Sequence, residues 1–152
     1  MNTWSSALTV GLTLAVAACA TVQYGDKRAE AKLKELLAVP GMTSLYVCRE
    51  AAAFVGAGNR PTVFVNNKPI GTLKPNSFAH VVVEPGPHDI RIKRNPGGYS
   101  GVLTINSKAD DVVILWVGMT GGGFGVLTVD YFTNRSEAEQ CVKNADFVVE
   151  AN

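Results

Sequence analysis

From Thr43 onward apolar and polar residues alternate with a period of two, the spacing of a pleated chain whose neighbouring side chains point to opposite faces. On this pattern residues 44–49, 62–65, 70–73, 78–84, 88–93 and 101–107 are predicted strands. In the fifth of them Ile90 and Ile92 share one face while Asp89, Arg91 and Lys93 share the other. Asn66-Asn67-Lys68 predicts a tight hairpin turn, because asparagine tolerates positive φ. Further turns are expected at 74–77, at Pro85-Gly86-Pro87 and at Asn95-Pro96-Gly97-Gly98. Residues 112–129 carry no charge. Their glycines, and the aspartates 110, 111 and 130 at their ends, argue for two strands joined at Gly121-Gly122-Gly123 rather than a membrane crossing. Such a pair, apolar on both faces, is expected at the centre of a sheet. Phe147-Val148-Val149 adds a last strand.

Two stretches change period. Over 26–38, Ala29, Leu33, Leu36 and Leu37 fall on one helical face, Asp26 can cap, Glu30 and Lys34 are four apart, and Pro40-Gly41 ends the run. Over 134–144 a second helix is expected, with Ser136 as cap and Glu139 three residues on. The fold class is therefore mainly β: a single β-sandwich, transthyretin-like or jelly-roll-like, with an N-terminal and a C-terminal helix. The helical segment spans 26–40 and the sandwich 43–150.

The segment before 26 follows neither period. Residues 7–18 are an uncharged run of signal-peptide length, too short to span a bilayer, which takes roughly 20 apolar residues. The run ends in Val16-Ala17-Ala18-Cys19, which resembles the bacterial lipobox. Small side chains suit a narrow peptidase groove, and the cysteine thiolate is the nucleophile that accepts the diacylglyceryl group. Residues 1–18 are thus expected to be a lipoprotein signal peptide cut between Ala18 and Cys19, and 19–25 a lipidated tether. The first six residues depart from an export signal in lacking Lys and Arg. A secretory signal without lipidation, cut near Ala18 or Ala20, and a buried apolar helix are the competing readings. Ala20 after the cysteine leans towards the outer membrane, facing the periplasm.

Charge and cysteines narrow the classes. The formal net charge is +1 and no Lys/Arg run forms a nucleic-acid footprint. The spare thiols, Cys48 and Cys141, invite a disulfide in an oxidising compartment; two separate buried thiols are the alternative. With only His80 and His88 beside them they make no zinc set, and neither a metal nor a cofactor is expected.

Within 44–93 the motifs SLYVCRE, RPTVFVNNKPIGTL and SFAHVVVEPGPHDIRI resemble the bacterial lipoprotein family catalogued as domain of unknown function 2846. The hairpin and the P-G-x-H turn also resemble PEGA modules. The resemblance implies an envelope β-sandwich lipoprotein and brings no catalytic residues.

No nucleophile with a base, acid pair or phosphate loop stands out: Ser100 lacks the G-x-S-x-G frame, and GGGFG at 121–125 has no Lys-Ser/Thr after it. His88 reads as structural, bonding a turn carbonyl; His80 reads as solvent-facing and Trp116 as core. The expected function is a non-catalytic structural or accessory module, held to the membrane by lipid on Cys19 and docking on an envelope protein complex. A glycan- or peptidoglycan-binding lipoprotein is the alternative, and a hydrolase a distant second. The contact surfaces would be the loops at 51–60 and 94–101, with Phe54, Arg60 and Tyr99 as candidate binding residues.

Overall fold

Alternation becomes architecture through one strand that is buried on both faces. The computed structural model describes residues 22–51, 57–95, 97–120 and 126–151. Its elements in chain order are β1 (Gln23–Tyr24), α1 (Lys27–Leu33), β2 (Thr43–Arg49), β3 (Thr62–Val65), β4 (Lys68–Thr72), β5 (Ser77–Val83), β6 (Gly86–Lys93), β7 (Leu103–Ser107), β8 (Val112–Thr120), β9 (Val126–Tyr131), α2 (Arg135–Asn144) and β10 (Asp146–Val149). The chain is mainly β, with two sheets and two helices among the described residues. The larger sheet runs β1-β10-β5-β2-β8-β9 and the smaller β4-β3-β6-β7. β2 pairs antiparallel with β5 and parallel with β8, and β10 pairs parallel with β5. These parallel neighbours depart from the all-antiparallel order of jelly rolls.

Every residue of β2 is buried, because its two faces serve two cores. Leu45 and Val47 join Leu115 and Val117 of β8 with Val63, Val65, Ile90 and Ile92 of the smaller sheet. Tyr46 and Cys48 turn the other way, onto Ala138, Cys141 and Val142 of α2 and, at its margin, Ala29 and Leu33 of α1. Cys48 and Cys141 are joined by a disulfide across a sequence separation of 93.

Several boundaries differ from expectation. The helix expected over 26–38 closes at Leu33, although Asp26 caps it as expected, Oδ1 accepting from the amides of Arg28 and Ala29. The Leu33 carbonyl accepts from the Leu36 amide at 3.0 Å, an i to i+3 bond that tightens the last turn, and from the Tyr46 hydroxyl at 3.0 Å. Leu36 sits at φ +55 and breaks the path, so it still packs inward while Leu37 is 65% exposed. The expected tether contains β1, paired with β10 through Gln23↔Val149 and Tyr24↔Val148. The cap of α2 is Asn134, not Ser136: its side chain accepts from the Glu137 amide at 2.9 Å. The apolar run at 112–129 is not a central pair, since β2 holds the centre and β9 is the edge.

The N-terminal part of the described residues is fastened by Glu30. Its Oε1 accepts from Lys34 at 2.8 Å, and its Oε2 from Lys27 at 2.9 Å and from the Phe147 amide at 3.1 Å. Burial pushes this carboxyl up, but the hydrogen bonds from Lys34, Lys27 and Phe147 outweigh it and hold it at about 2. No described helix is long and apolar enough to cross a membrane.

Candidate functional site

The smaller sheet directs Ile90 and Ile92 into the core, so Arg91 must emerge on its outer face, opposite Phe64 in the β3–β6 register. Beyond β6 the chain folds back on itself. The Arg94 amide donates to the Gly98 carbonyl at 3.0 Å and the Ser100 amide to the Ile92 carbonyl at 2.8 Å. Gly97, at φ +125, supplies the reversal. Arg94 then pins the loop from its side chain, Nη2 donating to the Tyr99 carbonyl at 2.9 Å and Nη1 to the Leu127 carbonyl at 3.3 Å. The result lays Tyr99 over Arg91: the guanidinium carbon is 4.4 Å from the Tyr99 ring centre and 6.0 Å from that of Phe64. The two rings meet edge-on at 5.7 Å.

This cluster has two chemical features. Tyr99 is 46% exposed, so the ring is open to solvent as well as to Arg91. Arg91 makes no hydrogen bond or ion pair with a described residue, and its Nε is buried without a partner. The acid beside it on β6, Asp89, is occupied by the Thr104 hydroxyl at 2.7 Å. Lys93, exposed on the same face, adds positive charge. The arrangement can offer a planar fork of donors next to an aromatic surface.

Of the residues expected to bind, Tyr99 lies in this cluster and Arg60 lies beside it. The Arg60 amide donates to the Asn95 carbonyl at 3.1 Å, which brings the two expected contact loops together. The Arg60 side chain turns inward, donating to the carbonyls of Ala57 and Asn59. Arg49, buried nearby, donates to the Asn59 carbonyl at 2.7 Å. Its burial and then the charge of Arg60 lower its guanidinium to about 10. Phe54, Ala18 and Cys19 lie outside the described residues. Phe64 and Arg91 were missed, although the alternation carried a signal: Phe64 is an aromatic at the outward position between Val63 and Val65.

The histidines and Trp116 divide. His88 Nε2 donates to the Glu84 carbonyl at 2.7 Å and Nδ1 accepts from the Asn66 amide at 2.9 Å, so the ring braces its turn. His80 is not solvent-facing. Its ring lies 4.5 Å from that of Tyr46 at a tilt of 47°, with Nε2 2.9 Å from Ser44 Oγ, and it lines a cleft of about 330 Å3 together with Leu37 and Val39. Hydroxyl and imidazole are at nucleophile–base distance, but burial lowers His80 to about 4, which makes it a weak base for a serine hydroxyl. Trp116 is half-buried rather than core: its indole lies over Gly118, where a Cβ would come within 1.8 Å of the ring, and its N–H donates to Glu50 at 3.1 Å. Among the described residues no group of three or more His, Cys, Asp or Glu could hold a metal ion.

No family model matches the chain, and neither a curated protein nor a solved structure matches it.

Proposed function

We propose that this chain is a lipid-anchored envelope lipoprotein, cut after Ala18, lipidated on Cys19 and facing the periplasm from the outer membrane, whose domain works by binding rather than catalysis. The lipobox-like VAAC at 16–19 supports the anchor, and the motifs over 44–93 support kinship with the domain-of-unknown-function 2846 lipoproteins and the PEGA modules. A sandwich stacking of the two sheets is supported by the core that both contribute to. For the ligand, the geometry supports cell-wall glycan best. One observation carries this: an unpaired guanidinium beside a solvent-open tyrosine ring on a sheet face. A sugar ring lays its apolar C–H face on an aromatic surface and leaves its hydroxyls for polar neighbours, the use to which rings with one apolar and one wet side are suited. Full-length protein in detergent is expected to sediment with purified peptidoglycan sacculi, and Tyr99→Ala to stay in the supernatant. Wild-type protein left in the supernatant overturns the reading.

Docking on an envelope protein complex is favoured by a different observation. β9 is an edge strand with Val126 and Tyr131 both more than half exposed, and an open edge is a template for a partner's strand. Cross-linking in intact envelopes that captures no stoichiometric partner through β9 removes this second reading. Hydrolysis would fall to Ser44 and His80, whose weak base disfavours it.

A further inference from the structure

We propose that the Arg91–Tyr99–Phe64 cluster recognises a carboxylate carried on a sugar ring, so that the ligand is an acidic rather than a neutral saccharide; this rests on the glycan reading above. An arginine on a sheet face ordinarily finds a carboxylate or a carbonyl. Arg91 has neither among the described residues, and its Nε is shut off from water as well. Leaving a buried donor unmade has a cost in stability, and that atom is as closed to a ligand as to water, so only the terminal nitrogens can meet one. The fold accepts that cost while spending the neighbouring Arg94 on two carbonyls that hold Tyr99 in place. The guanidinium is thereby oriented by ring contacts alone, with its terminal nitrogens uncommitted.

The matching chemistry is a planar anion. A carboxylate accepts two parallel hydrogen bonds from a guanidinium fork, and such charge-assisted pairs are stronger than neutral ones. Lys93 adds a second positive charge on the same face, and Asp89 is already engaged by Thr104. Tyr99 is 46% exposed and its ring centre is 4.4 Å from the guanidinium carbon, so a sugar ring laid on what Tyr99 leaves open would carry its carboxylate close to Arg91. A neutral sugar would use the ring and leave the fork unfilled. A bare inorganic anion would use the fork and leave the ring uncovered.

The test is calorimetric titration of the full-length protein in detergent with trigalacturonate, neutral chitotriose and inorganic phosphate. Trigalacturonate is expected to bind at least about tenfold more tightly than either, as a charge-assisted pair of about 1.5 kcal/mol or more implies. Arg91→Lys keeps the charge but loses the fork and should cost about tenfold or more in trigalacturonate affinity. Tyr99→Phe, which keeps the ring, should bind nearly as wild type, and Tyr99→Ala should not. Unchanged circular dichroism confirms that each variant folds. Equal affinity for trigalacturonate and chitotriose overturns the carboxylate and leaves the glycan reading standing. Phosphate binding as tightly as trigalacturonate overturns the sugar. Binding of neither saccharide overturns both, and full affinity in Arg91→Lys overturns the role of the fork.

Discussion

Glu30 and His80 show how a single titratable group drawn into the fold can fasten or loosen it depending on what it faces. Glu30 meets two ammonium groups and an amide, so its charged form is favoured in the folded chain and its carboxyl is held at about 2 against 4.5. Its contribution is fully present above pH 4.5 and is lost as pH falls towards 2. Glu30→Ala leaves the Phe147 amide without its acceptor and is expected to destabilise the protein by about 1–3 kcal/mol, read as a lower urea midpoint at pH 7. His80 meets Ser44 and the Tyr46 ring, with no hydrogen bond or ion pair to an acid among the described residues, and burial lowers it to about 4 from 6.5. The unfolded chain therefore takes up a proton that the folded chain refuses, and stability falls as pH drops from 6.5 to 4. That loss is about 2–3 kcal/mol. In His80→Gln, which still offers Ser44 an acceptor, urea midpoints at pH 7 and pH 4.5 should differ less than in wild type; an equal difference would show that His80 is not the group responsible.

Among the elements, the strands were the legible part, because an alternating half-buried strand announces itself in sequence. Phe64 could have been read as outward-facing on the same grounds, since it interrupts an inward pair. What the pattern could not carry was pairing. Thr43–Arg49 looks like any other alternating strand, yet its polar-looking side packs under α2 and makes it the centre of the larger sheet. The most apolar stretch was expected at that centre, but β9 ends at the edge. Helix α1 stops short where Leu36 takes a positive φ, which leaves Leu36 packed inward and the Leu33 carbonyl also in reach of the Tyr46 hydroxyl, contacts invisible to local periodicity. The disulfide ties β2 to α2 across a separation of 93 residues. Closing so long a loop restricts the unfolded chain, by about 4–5 kcal/mol on the chain-entropy account. Cys48→Ala with Cys141→Ala, or reduction of wild type, should lower the urea midpoint accordingly, while reductant should leave the double variant unchanged.

For the whole molecule, the site was half legible. Tyr99 stood out as an aromatic in a glycine-rich loop, but Arg91 read only as one of three charges on a solvated strand face. Its meaning appears when the loop after β6 folds back and the acid beside it is seen to be engaged elsewhere. Anchoring belongs to this scale too. In membrane fractionation wild type is expected to pellet and to dissolve only in detergent, and Cys19→Ser to be released; equal solubility of the two removes the lipid anchor.

The small strand β1 then acquires a mechanical meaning. Because Gln23 and Tyr24 are paired into the larger sheet, the leash from Cys19 to that sheet, if Cys19 carries lipid as proposed, would be only the few residues before Gln23. Four residues extend to about 14 Å at most. The domain would stand close against its membrane with little freedom to tumble, sweeping a thin layer parallel to the lipid surface. Its ligand would have to come within that layer to be caught. Lengthening the leash would widen the reach without altering a single contact in the fold.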